Sequence, residues 1–193
     1  VTDIRRELLA AAGRQVGVTG LRGLTVAGVA TEAGVSRPTV YKHLGDSDAI
    51  AGALIAWEAD RFFAAIRPLM ETEEPLATRL TAALTFTADY ARDNTVFQGL
   101  LQREPGATLP LLTTHAEPLI RRAMSRLLPF LVDLHATAAD RADIMAEWAV
   151  RAGLSLALTP PLHDNAATRA VLQGIADSLV KGLTIAADGT GPP

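Results

Sequence analysis

Apolar residues recur at helical spacing along nearly the whole chain. The first such stretch, 3–16, sets Ile4, Leu8, Leu9, Ala11 and Ala12 on one face, the rhythm of an amphipathic helix. Gly13 inside it costs about 1 kcal/mol relative to alanine, so this helix must lean on tertiary packing. Gly17, Gly20 and Gly23 then mark a loop. A long helix is predicted to start at Asp46 or Ser47 and to run through Ile50, Leu54 and Trp57 to Ile66, where Arg67-Pro68 ends it. Further helices read over 76–92, 95–103, 109–131, 138–158 and 165–187. Pro105, Pro160-Pro161 and a tail over 188–193 punctuate them. No alternating strand pattern, repeat or low-complexity linker interrupts this, so the fold class is all-α.

Composition agrees. Of 193 residues, 49% are hydrophobic and 20% charged, enough apolar surface for a proper core. Thirty-five alanines against five phenylalanines, two tryptophans and two tyrosines favour helix over sheet. No apolar run approaches the roughly 18–20 residues of a membrane helix, and no signal segment is expected, so a cytoplasmic protein without membrane contact is predicted. The absence of cysteine excludes a disulfide framework and any thiolate metal site. The net charge of −3 excludes a chain that is basic throughout. Residues 1–57 carry six Lys/Arg and five Asp/Glu (+1), however, and residues 58–193 carry twelve and sixteen (−4). The first third is therefore the less acidic part, and a local basic site is compatible with the overall charge.

The informative stretch runs from Leu24 to Leu44. Thr25 can N-cap a short helix that turns Val26, Val29 and Ala30 inward. Gly34, four residues after Ala30, stands where a helix must stop with positive φ, and Val35 plugs the turn. Ser36 can cap a second short helix, with Pro38 in its first turn, where a missing N–H costs nothing. Val40 and Leu44 anchor that helix, leaving Arg37, Thr39, Tyr41, Lys42 and His43 for its other faces. This is a helix–turn–helix whose outward chemistry suits DNA. Arg37 can reach a guanine edge, Thr39 a thymine methyl or a phosphate, and Lys42 a phosphate or base edge. Tyr41 and His43 offer donors for phosphate.

The segment from about Leu9 to Ile50 resembles the DNA-binding domain of the tetracycline-repressor (TetR) family. That family's pattern runs from a threonine-led helix through Ala-x-x-x-Gly-Val-Ser to Thr-(Leu/Val)-Tyr-x-His-(Phe/Leu). Here those positions are Thr25, Ala30, Gly34, Val35, Ser36, Thr39, Val40, Tyr41, His43 and Leu44. The resemblance covers about a quarter of the chain and implies a three-helix DNA-binding domain over 1–46, a helical ligand-binding and dimerisation domain over 47–187, and the tail. The implied DNA-binding set is Thr25, Ser36, Arg37, Pro38, Thr39, Tyr41, Lys42, His43 and Ser47. One departure stands out: where family members usually carry a lysine at the start of the fourth helix, this chain has Asp46-Ser47-Asp48.

The resemblance also implies partners: a double-stranded DNA operator, a second copy of the chain and a small-molecule effector, with no cofactor. The family's usual dimer is a four-helix interface. Small-residue stripes that fit it are Ala149, Gly153 and Leu156 on one helix and Val171, Ile175, Leu179 and Gly182 on the next; the alternative is that both stripes pack within the monomer, and the resemblance favours the dimer. Effector cavities are mostly apolar with a few polar anchors. The candidate lining is Trp57, Phe86, Tyr90, His115, Trp148 and Arg151, each of which reads singly as core or surface. Arg151 also stands four residues after Glu147, the spacing of a structural ion pair.

No catalytic constellation assembles, and the expectation is that the chain is not an enzyme. The histidines at 43, 115, 135 and 163 form no His-x-x-x-His pair. Gly153-Leu-Ser-Leu-Ala157 lacks the final glycine of a nucleophile elbow and lies in a helical pattern. The glycines at 17, 20 and 23 lack the strand, spacing and Lys-Ser/Thr of a phosphate loop. With the family resemblance, the expectation is a homodimeric transcriptional regulator, a repressor released from a palindromic operator by a small apolar effector. The alternative is a helical protein-interaction module whose helix–turn–helix has lost specific DNA binding.

Overall fold

The computed structural model describes residues 2–132, 139–159, 163 and 165–185. Among them are ten α-helices, one 3-10 turn and no strand. In chain order they are α1 (Thr2–Thr19), the 3-10 turn (Leu21–Gly23), α2 (Val26–Ala33), α3 (Arg37–Leu44), α4 (Ser47–Met70), α5 (Leu76–Asp93), α6 (Thr95–Arg103), α7 (Pro105–Leu112), α8 (Glu117–Val132), α9 (Ala139–Leu158) and α10 (Asn165–Ile185). The predicted end of α10 at 187, the tail over 188–193 and Pro160-Pro161 lie outside the described residues.

The helices form two compact units. Residues 1–62 and 93–111 make the first, and residues 63–92 and 112–193 the second. In the first, α1 buries Leu8, Leu9, Ala11, Ala12 and Val16 against Val29 and Ala30 of α2, Val40 and Leu44 of α3, Ile50 and Leu54 of α4 and Val96 of α6. In the second, Met70 at the end of α4 joins Leu76, Ala77 and Leu80 of α5, Leu131 of α8, Met145 and Ala146 of α9 and Ala176 of α10. Each fully buried valine, leucine, isoleucine or methionine among them contributes roughly 1.5–3 kcal/mol.

Three sequence expectations need correction. Helix α1 does not stop at Val16 but continues through Gly17 to Thr19. The reason is tertiary: α6 crosses α1 so closely that a Cβ on Gly99 would stand 2.8 Å from the Val16 carbonyl oxygen and 2.9 Å from the Gly17 Cα. Gly17 is therefore a crossing point inside a helix rather than part of a loop.

Helix α4 does not end at Arg67-Pro68. Pro68 removes one backbone bond, but it is exposed and in the last turn, where little helix remains to disrupt. The turn is held by the Glu71 N–H donating to the Arg67 carbonyl at 3.1 Å, by burial of Met70, and by Arg79 Nη1 donating to the Met70 carbonyl at 2.8 Å.

The single helix expected over 109–131 is two helices, with residues 113–116 between them. Pro118 has no N–H for the Thr114 carbonyl and its ring would press on that oxygen, so it fits only a first turn. The Ala116 N–H donates to the Thr113 carbonyl at 3.3 Å, and the Ile120 N–H to the Ala116 carbonyl at 2.9 Å. Ala116 and Ile120 are both buried, which pins the start of α8.

The Gly99 contact is with backbone atoms, which cannot swing aside as a side chain can. Gly99→Ala is expected to destabilise the chain by about 1–3 kcal/mol through overpacking. Thermal unfolding followed by circular dichroism checks this, and an unchanged midpoint would show that α6 can lift off α1 freely.

Candidate nucleic-acid interface

The helix–turn–helix is built from local hydrogen bonds. Thr25 N-caps α2, its hydroxyl accepting from the Gly28 N–H at 3.0 Å. The other end of α2 closes on Gly34 in the left-handed conformation, φ 66° and ψ 30°. The Val35 N–H reaches the Ala30 carbonyl at 3.0 Å, and the Gly34 N–H the Thr31 carbonyl at 3.2 Å. This crossed pair is a Schellman motif. It satisfies two orphan carbonyls while Val35 packs back onto the first core.

Ser36 then caps α3. Its hydroxyl accepts from the Thr39 N–H at 3.3 Å and lies 2.9 Å from the Thr39 hydroxyl. Pro38 sits in the first turn, as expected. Val40 and Leu44 are buried, and the outer face is left to exposed Arg37, Pro38, Tyr41 and Lys42, with Thr39 and His43 half-buried beside it. Tyr41 is 56% exposed, a large aromatic in water with its hydroxyl outermost. Two cations, a phenol and a helix N-terminus on one short helix can bind the phosphate backbone and read base edges in a major groove.

Asp46, the residue that departs from the family pattern, has a structural task. It precedes α4 as its N-cap, Oδ1 accepting from the Ala49 N–H at 2.9 Å. Ser47 follows in the first turn, half-buried. The helix start therefore carries an acceptor for its own N–H groups in place of a cation for phosphate.

Three contributors were not legible as partners in the sequence. Arg5 of α1 donates through Nη1 to the His43 carbonyl at the end of α3. Glu104, at the end of α6, accepts from the Arg22 N–H at 2.9 Å and so holds the 3-10 turn leading into α2. Arg14 of α1 pairs with Glu32 of α2 at 2.6 Å, an exposed bridge that contributes well under about 1 kcal/mol. These pairs are separated by 38, 82 and 18 positions, so no local pattern announces them.

The remaining candidates fall in several places. Trp57 belongs to the first unit, half-buried against its core, with the Arg61 guanidinium 4.7 Å from its ring centroid. In the second unit the Phe86 and Tyr90 rings meet at a tilt of 42° with centroids 5.5 Å apart, both half-buried. His115 is exposed in the α7–α8 connection. Arg151 pairs with Glu147 at 2.6 Å on the surface of α9.

Trp148 is 62% exposed, on the same stripe of α9 as Ile144, and Val171 and Ile175 form an exposed stripe on α10. Ala149 packs on the second core. Gly153 is buried, with Thr87 and Leu84 side chains 3.7 and 3.8 Å from where its Cβ would be. Leu156 is half-buried. The side chains of Leu179 and Gly182 lie outside the described residues.

Comparison with known proteins agrees with this geometry. Residues 8–54 match the family described as bacterial regulatory proteins, tetR family, and residues 76–180 match the bacterial tetracyclin repressor, C-terminal domain. The HTH-type transcriptional regulator AlkX of Mycobacterium tuberculosis is 30% identical over 145 residues, covering 74% of this chain and 69% of that protein. Among solved structures, the TetR family repressor AlkX from a Dietzia species, implicated in biodegradation of n-alkanes, superposes with a TM-score of 0.66 at 24% identity, over 92% of this chain and 95% of that one. The fatty acid degradation regulator FadR from Bacillus halodurans gives 0.60 at 15% identity, over 94% and 97%.

If Asp46 serves as a cap, Asp46→Ala costs about 1 kcal/mol of stability while Asp46→Asn, which keeps an acceptor, costs much less. Equal denaturation midpoints for the two variants would remove the capping role.

Proposed function

The chain belongs to the tetracycline-repressor family of transcriptional regulators, and from that premise we propose that it is a homodimeric repressor, released from a palindromic operator by a small apolar effector. Residues 1–46 form the DNA-binding part in this reading, and residues 47–187 the part that binds effector and pairs the two copies. The protein works in the cytoplasm; among the described residues no helix is long and apolar enough to cross a membrane.

The observation that carries DNA binding is the outer face of α3. Arg37, Tyr41 and Lys42 are exposed on a helix capped at its N-terminus by Ser36, and Val40 and Leu44 are buried behind them. Such a helix enters the major groove, with Arg37 bidentate to a guanine and Lys42, His43, Tyr41 and Ser47 at phosphates or base edges. Thr25, Ser36, Pro38 and Thr39 shape the turn and the start of the helix, where a phosphate is favoured.

Dimerisation is supported by apolar side chains left in water. Ile144 and Trp148 on α9, and Val171 and Ile175 on α10, are each more than half exposed. Two helices with such stripes form a self-complementary four-helix interface about a two-fold axis. Phe86 and Tyr90 are the aromatic pair best suited to an apolar effector. Helix α4, which begins in the first unit and ends in the second, is the element whose displacement would alter the separation of the two recognition helices.

Selection of bound sequences from a random double-stranded library, retested across a salt series, decides the reading. The expected result is a palindrome with half-site centres about 34–36 Å apart and affinity falling with salt. Weak, sequence-indifferent binding would overturn it in favour of a protein-interaction module.

On the selected site, Arg37→Ala should cost about 1–3 kcal/mol and relax preference at the base pair it reads, whereas Tyr41→Phe should weaken all sequences alike. Trp148→Glu combined with Ile175→Glu should convert the dimer to a folded monomer in sedimentation, and a variant that stays dimeric would place the interface elsewhere.

A further inference from the structure

Helix α3 has eight residues, two turns, too few to be stable alone in water. Its side chains buried in the core are Val40 and Leu44, one turn apart on the same side. Two anchors in line with the axis hold a helix against its neighbour but leave it free to roll about that line. A roll would swing the exposed side chains across the groove without disturbing the core. Something must stop it at the end away from the Ser36 cap.

That end is also where carbonyls go unpaired. Gly45, with φ 88° and ψ −150°, turns the chain out of the helix, and its N–H satisfies the Tyr41 carbonyl at 3.1 Å. The His43 carbonyl is taken by Arg5 Nη1 from α1. Arg5 is well placed for this, because Leu8 and Leu9, three and four residues on, are buried in the same core as Val40 and Leu44. A guanidinium there also sits at the negative end of the α3 dipole.

We propose that Arg5 is a positioning residue for operator recognition: through the His43 carbonyl it locks the roll of α3, and thereby sets which bases Arg37 and Lys42 can reach. The inference rests on the DNA-binding reading above. It differs from a phosphate contact, which an exposed arginine near DNA would otherwise suggest. A phosphate contact adds affinity to every sequence and steepens the salt dependence, whereas a roll lock adds affinity only where bases are read.

The test uses the full-length chain, its selected operator and an unrelated duplex, each titrated across a salt series. Arg5→Met keeps the apolar stem and removes donor and charge; Arg5→Lys keeps a charged donor. The expected outcome for Arg5→Met is about tenfold weaker operator binding with unrelated-duplex affinity and salt slope unchanged, and recovery of most of the loss in Arg5→Lys. A merely destabilising change would lower binding to both duplexes together.

Parallel loss on both duplexes, with the slope reduced by about 0.9 for each contact, would show a phosphate ligand and overturn the proposal. Operator affinity unchanged in Arg5→Met would overturn it too. Should Arg5→Met lose its helical signal, Arg5→Gln, a shorter and uncharged side chain, carries the test through its operator-to-unrelated ratio. A ratio lowered about tenfold in a folded protein supports the lock, and a ratio within about threefold of the parent refutes it. If the parent chain itself selects no sequence, the DNA-binding reading fails first; if the parent selects and Arg5→Met selects equally well, this inference alone fails.

Discussion

A two-turn helix cannot keep its shape in water, so whatever α3 does depends on the burial of Val40 and Leu44 against α1. The rest of the first unit serves that contact. Helix α1 brings a continuous apolar face in Leu8, Leu9, Ala11, Ala12 and Val16, all almost inaccessible to solvent. The Schellman turn at Gly34 sets the angle between α2 and α3 with two backbone bonds, and Ser36 begins the next helix two residues later. Because the inner side of α3 is committed to the core, its outer side is free to carry cations and a phenol that no folding requirement demands. A regulator needs this separation, since base-reading residues can then change without unfolding the scaffold that presents them.

The scaffold extends beyond the helix–turn–helix. Helix α6, some eighty residues further along the chain, packs on α1 through Gly99 over Gly17, and Glu104 at its end holds the Arg22 N–H. Its other end is tied as well. Asn94 caps α6 through the Phe97 N–H at 2.8 Å and donates to Glu58 of α4, also at 2.8 Å. A displacement of α6 therefore acts directly on α1 and on the turn before α2. The contact is backbone on backbone, so it transmits movement with little slack.

The last helices separate packing from exposure along single stripes. On α9, Met145, Ala146, Ala149 and Gly153 face the second core, while Ile144 and Trp148, offset by one residue, face water. Ala146, Ala149 and Gly153 thus serve close packing beside Met145 inside the chain, while Ile144 and Trp148 are left outside. Exposing a tryptophan and three β-branched residues carries a solvation cost that a second copy of the chain would remove.

The class of fold, the positions of α2 and α3, their caps and the turn at Gly34 were legible in the sequence, because each rests on hydrogen bonds closing within about five residues. Thr25, Gly34 and Ser36 need no distant neighbour to act as they do. Tertiary structure decided what depends on approach between remote residues. It made Gly17 a crossing point rather than a loop, carried α4 past Pro68 by burying Met70, joined α6 to the N-terminal unit and brought Arg5 to His43. It also settled which side of α9 meets water, since helical periodicity marks an apolar stripe but not the partner that covers it. Sequence spacing encodes contacts along one helix; contacts between helices depend on how closely two backbones can approach, and that is a property of the packed molecule.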